Sequence, residues 1–62
     1  MDNMTTLKAE LEFLKIIYKK ITSAKSMMTE AWDRAGLGFI EGAVESRITV
    51  IESLINHYVE TD

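Results

Sequence analysis

Apolar residues recur three and four positions apart from Leu7 to Trp32 and again from Phe39 to Tyr58, the spacing that gathers side chains on one side of an α-helix. Between the two stretches lies Asp33-Arg34-Ala35-Gly36-Leu37-Gly38, which holds two of the three glycines. The pattern predicts a helix from about residue 3 to 32, a turn over 33–38 and a second helix from about 39 to 59. Asp2 or Asn3 can cap the first helix, whose opening amides need an acceptor. Gly36 suits the left-handed position just beyond a helix end, and Gly38 suits an N-cap. Glu41 then falls in the first turn of the second helix, where an acid complements the positive end of the dipole.

Placed on a 100° wheel, Leu7, Leu11, Leu14, Ile17, Tyr18, Ile21, Ala24, Met28, Ala31 and Trp32 share one broad face of the first helix. Lys8, Glu12, Lys15, Lys19 and Ser26 lie opposite, and Phe13, Ile16 and Met27 widen the apolar stripe round one flank. In the second helix Ile40, Val44, Ile51, Leu54, Ile55 and Tyr58 point inward and Glu45, Thr49, Glu52, Ser53, Asn56 and Glu60 outward. Ile48 and Val59 sit on one shoulder, Phe39, Ala43, Val50 and His57 on the other. A short loop makes neighbouring helices antiparallel. A turn at 33–38 pairs residues whose numbers total about 72, because both helices rise ~1.5 Å per residue. Tyr18 then faces Leu54, Ile21 faces Ile51 and Met28 faces Val44.

Such a stripe is wider than two helices can cover. The expected fold is therefore all-α: an antiparallel two-helix hairpin, a single domain over residues 1–62, that homodimerises into a four-helix bundle. Its core is expected to hold Leu7, Leu11, Leu14, Ile17, Tyr18, Ile21, Met28, Ile40, Val44, Ile51, Leu54 and Tyr58. Length points the same way, since a chain of 62 residues buries only about 60% of its unfolded surface. Chains of this size need a staple or a partner. Cysteine is absent, which removes disulfides, thiolate catalysis and cysteine zinc sites. A lone His57 argues against an all-protein metal cage.

With 47% hydrophobic and 27% charged residues, the composition is that of a soluble globular protein. The apolar runs fall short of the ~18 residues a membrane span needs. Met1-Asp2-Asn3 lacks the basic segment that opens a secretory signal, so a cytoplasmic, intracellular protein is expected. The net charge of −3 argues against binding dominated by nucleic-acid phosphates. Its distribution is uneven: the chain carries +1 through Arg34 and −4 from Ala35 onward.

Glu10 and Arg47 interrupt otherwise apolar stripes, and in the 72-sum register they do not meet within one hairpin. Glu10 of one chain is therefore expected to reach Lys25 or Arg47 of another, a pairing that would fix register and partner choice. Lys8, Lys15 and Lys19 form a ridge that could touch RNA or an acidic surface, although Glu12 interrupts it and no aromatic is there to stack on a base. Glu52, Asn56 and Glu60 bring oxygens together at four-residue spacing, too few for the six to eight that calcium wants. Thr49, Ser53 and His57 stack hydroxyls beneath an imidazole, but one helix face builds neither pocket nor oxyanion donors. Phe39, Gly42, Ser46 and Thr49 mark a strip, largely of small residues, against which another backbone can pack closely. Trp32, Leu37, Phe39, Met27 and Met28 cluster round the turn, a composition suited either to capping a core or to a protein-binding hot spot.

The function these residues suggest is that of a small non-enzymatic regulator, inhibitor or adaptor that binds another protein as a homodimer, with no cofactor, metal or small-molecule substrate. Its size and simplicity fit a phage or other mobile element. In size and architecture the expected bundle resembles the Rop-type plasmid regulators, with no shared residue motif. That resemblance implies the alternative of an RNA- or DNA-associated regulator using the helix-one lysines, and a subunit of a larger self-assembly is a third reading. Fold likeness of this kind does not assign a function.

Overall fold

The computed structural model describes residues 3–61, which form two α-helices, α1 (Asn3–Met27) and α2 (Ala31–Thr61), packed against each other as a hairpin. The cap considered at Asp2 lies outside the described residues. The hairpin is a rod, 48 Å long and about two helices thick. Its radius of gyration is 14.5 Å, against about 10.6 Å for a compact chain of this length.

The break between the helices falls at residues 28–30, before the glycine segment 33–38 in which the sequence pattern places it. Gly36 and Gly38 lie inside α2, and no glycine adopts a positive φ. What ends α1 is a run of poor helix formers, Ser23, Ser26 and Thr29, whose hydroxyls compete for backbone partners. The Ser26 hydroxyl donates to the Ser23 carbonyl at 2.7 Å. The Met28 amide donates to the Lys25 carbonyl at 3.1 Å, which tightens the last turn. Three residues later α2 is under way, with the Arg34 amide donating to the Glu30 carbonyl at 3.1 Å. Lys25 in the last turn of α1 and Asp33 in the first turn of α2 each complement the local helix dipole.

Moving the turn moves the register. Cross-helix polar pairs join residues whose numbers total between 57 and 67, not 72. Along α1 the row facing α2 is Met4, Leu7, Leu11, Leu14, Tyr18, Ile21, Lys25 and Met28, alternating steps of three and four, and every member is half-buried. The facing row of α2 is Leu37, Glu41, Val44, Ile48, Ile51 and Ile55, with the same alternation. This is the heptad spacing by which two helices keep a seam together along their length. Among the described residues Ile51 alone of the hydrophobic side chains is fully buried, at 0% exposure.

The rows correct the wheel at several positions. Ile40, Leu54 and Tyr58, expected inside, are exposed, and Ile48, expected on a shoulder, belongs to the seam. The reason is that the apolar arc of α2 is wide enough to admit two seams, and the position of the turn decides which one α1 covers.

Candidate protein-interaction surface

Ion pairs distinguish the two broad faces of the hairpin. On one, Arg47 grips Glu10 in a fork, Nε donating to Oε1 at 3.1 Å and Nη2 to Oε2 at 3.4 Å. On the other, Lys15 Nζ stands 3.9 Å from Glu52 Oε2. The fork corrects the expectation that Glu10 and Arg47 cannot meet inside one hairpin, which followed from a turn placed too late. Both carboxylate and guanidinium are partly exposed, so the pair itself is worth about 0.2–1 kcal/mol.

Lys25, the third residue expected to pair between chains, also finds its partner within the chain. Its Nζ donates to Glu41 Oε1 at 2.7 Å, while the Thr22 hydroxyl donates to Oε2 at 2.8 Å. Lys25 and Glu41 are the polar members of two otherwise apolar rows, Met28 and Leu37 following them toward the turn. The hydrogen bond from Lys25, then that from Thr22, holds the Glu41 carboxyl below its ordinary value of 4.5, against a smaller opposing effect of burial. Polar partners inside a heptad seam fix register because any slip would leave both unpaired. Glu10, Lys25 and Arg47 are thus matched without a second chain.

The face carrying the fork is apolar. Ile17 and Ala24 of α1 lie beside the seam there, and Phe13 stands further round at 62% exposure. From α2 come the exposed Ile40, Leu54 and Tyr58, with Val50 and Phe39 beyond them, Phe39 at 82% exposure. A shallow hollow lined by Asn3, Thr6, Leu7, Leu54 and Tyr58 opens on this side. Toward the turn Trp32, at 88% exposure, and Met27 are also uncovered, so the turn cluster does not close over a core. Gly42, Ser46 and Thr49 are exposed along α2 next to Phe39, and nothing lies within 4 Å of the Cβ that an alanine at position 42 would add.

By contrast, the opposite face is polar. Glu45 and Glu52 project from the side of α2 turned away from Phe39, Ala43 and Val50, by the helical period, with Glu41 at the edge of the seam beside them. Lys8, Lys15 and Lys19 rim a groove of about 260 Å³ on α1, with Leu11, Glu12 and Ile16 completing its walls. Lys15 is engaged by Glu52, and Glu12 sits among the lysines, as the sequence indicates. Glu52 and Asn56 line a second hollow with Leu11 and Ile55; the side chain of Glu60 lies outside the described residues. Among the described residues no three His, Cys, Asp or Glu side chains gather as a metal site. The Thr49 hydroxyl donates to the Glu45 carbonyl of its own helix at 3.2 Å, and His57 packs edge-on against Tyr58, ring centres 6.1 Å apart. Thr49, Ser53 and His57 share a helix face, with the Thr49 hydroxyl turned to its own backbone.

The scale of the uncovered surface is informative. The chain exposes 4893 Å², whereas a compact protein of 7.1 kDa is expected to expose about 4,100 Å². The surplus, about 800 Å² over the whole rod-shaped chain, is comparable to the area one partner contributes to a standard protein interface. Among the described residues no helix is long and apolar enough to cross a membrane. No family model, curated protein or solved structure matches the chain.

Proposed function

We propose that this chain is a small non-enzymatic binding protein, a regulator, inhibitor or adaptor, that works as a homodimer and engages another protein. The observation that carries the reading is the apolar face: Phe13, Trp32, Phe39, Val50 and Leu54 are exposed on a hairpin that, among the described residues, fully buries only Ile51 of its hydrophobic side chains. An isolated hairpin of this kind leaves a continuous apolar strip in water, and patches of that extent mark interaction sites. Two copies packing through it form a four-helix bundle and supply the burial that one short chain lacks. The polar face, with its acidic α2 edge and lysine-rimmed groove, then remains outward to meet the target.

Concentration-dependent unfolding tests the reading. A dimer that folds as it associates melts at higher temperature as protein concentration rises, by mass action. A melting temperature constant from one to several hundred micromolar would contradict it.

A further inference from the structure

The apolar strip of α2 has a period of its own. Trp32, Gly36, Phe39, Ala43, Ser46, Val50, Ser53 and His57 follow one another at alternating steps of four and three, a second heptad row about 150° round α2 from the one that α1 covers. Every one of the eight is exposed. Acidic residues are absent from this row; Glu41, Glu45 and Glu52 lie on the opposite flank of the helix. Arg47 borders it, and Glu10 of the same chain already neutralises that charge.

A heptad row wants a second heptad row, and the residue sizes say which. Antiparallel helices pair the two kinds of seam position with each other, which allows registers that differ by whole heptads. One of these keeps the full row in contact, and it places Trp32 against His57, Gly36 against Ser53, Phe39 against Val50 and Ala43 against Ser46 of a second copy. Large meets large and small meets small in alternating layers. Shifting by one heptad sets Phe39 against Ala43 in one direction and Ser46 against Val50 in the other, and leaves one end of the row uncovered. A parallel pairing would align the acidic flanks of two α2 helices and their dipoles, both unfavourable. The α1 flank is a poorer partner, because Lys20 falls within it between Phe13 and Met27.

We infer that α2 docks on α2 of a second copy, antiparallel, about a twofold axis between Ala43 and Ser46. The inference rests on the homodimer reading alone and not on the closed four-helix bundle, because a row on the far side of α2 from the seam leaves each α1 on the outside of the pair. The row spans about 38 Å at ~1.5 Å per residue, and the surplus of about 800 Å² per chain is comparable to the area that a stable dimer needs. Small residues at 36, 43, 46 and 53 permit close approach of the two backbones.

The chain has no cysteine, so single cysteines report geometry directly. Gly36→Cys and Ser53→Cys are prepared separately, mixed and oxidised. Gly36 tolerates the change, since nothing lies within 4 Å of its Cβ position. In the antiparallel dimer the mixture gives a disulfide between the two variants, and neither variant alone crosslinks, because Ser53 and its symmetry mate stand about 25 Å apart along the axis. A spin label on Asn56→Cys gives an independent reading, expected near 35 Å between labels by the same rise. Disulfides within each single variant, with labels about 10–15 Å apart as side-by-side helices require, would overturn the antiparallel order. A sedimentation mass of twice 7.1 kDa without the mixed disulfide and the long label distance would overturn the α2 face while leaving the dimer intact. A mass of 7.1 kDa for the unaltered chain would instead remove the homodimer reading beneath it.

Discussion

Replacing Phe39 by Ala separates a free hairpin from an associated one, because the two assign it effects of opposite sign. Phe39 is 82% exposed, and phenylalanine presents roughly 150–250 Å² of surface. About 160 Å² of it is therefore left for a partner to cover. Covering half of that at about 25 cal/mol per Å² is worth about 2 kcal/mol per copy and about 4 per dimer. Dimer dissociation should rise about a thousandfold in Kd, since each 1.4 kcal/mol is about tenfold. In a free hairpin the same substitution removes no covered area and improves helix propensity by about 0.5 kcal/mol. Circular dichroism through a urea titration at two protein concentrations a hundredfold apart reads the difference. The account expects the Phe39→Ala midpoint to fall at both concentrations and more steeply at the lower. A midpoint unchanged or raised, and independent of concentration, would refute the reasoning.

Four other outcomes follow from the same geometry. Ile51→Ala, at the one fully buried hydrophobic side chain among the described residues, should cost about 2–5 kcal/mol and leave the chain largely unfolded by circular dichroism at micromolar concentration; native helicity would contradict the seam. Lys25→Met alone should destabilise the fold by leaving Glu41 without its cation in the seam, while Lys25→Met with Glu41→Leu should recover at least the original stability, as a chemical-denaturation double-mutant cycle will show. Glu41 titrates below its ordinary value of 4.5 when folded, so its contribution is present above that value and lost as pH falls through the folded one; Glu41→Gln should flatten this acid limb of a stability–pH profile. Gly42→Ala, with open space at its Cβ position, should raise stability by about 0.5–1 kcal/mol in thermal unfolding.

Much of this architecture is legible in the chain. Steps of three and four mark two helices, and the excess width of the stripe points to a surface in search of cover. Phe13, Ile16, Met27 and Phe39 were read as flanking the main stripe, and all four are exposed. The turn was misplaced for a physical reason: glycine marks a helix end when a left-handed residue is needed there, and this turn uses none. A better signal was the serine and threonine run at 22–29, with Lys25 within it and Asp33 just beyond, charges suited to the two facing helix ends. That one shift carried every later error. It swapped Ile48 for Ile40, Leu54 and Tyr58 in the seam, and it hid the Glu10–Arg47 and Lys25–Glu41 pairs, which local spacing alone does not reveal. Two heptad rows on one helix cannot be ranked until the turn sets which row faces α1.

The central claim is that the apolar face is covered by a second copy, and sedimentation equilibrium tests it most directly. Between 5 and 200 µM, at about 150 mM salt where surface charges are screened, the account expects one species of twice the 7.1 kDa chain mass. A folded, helical species holding the single-chain mass across that whole range would contradict it.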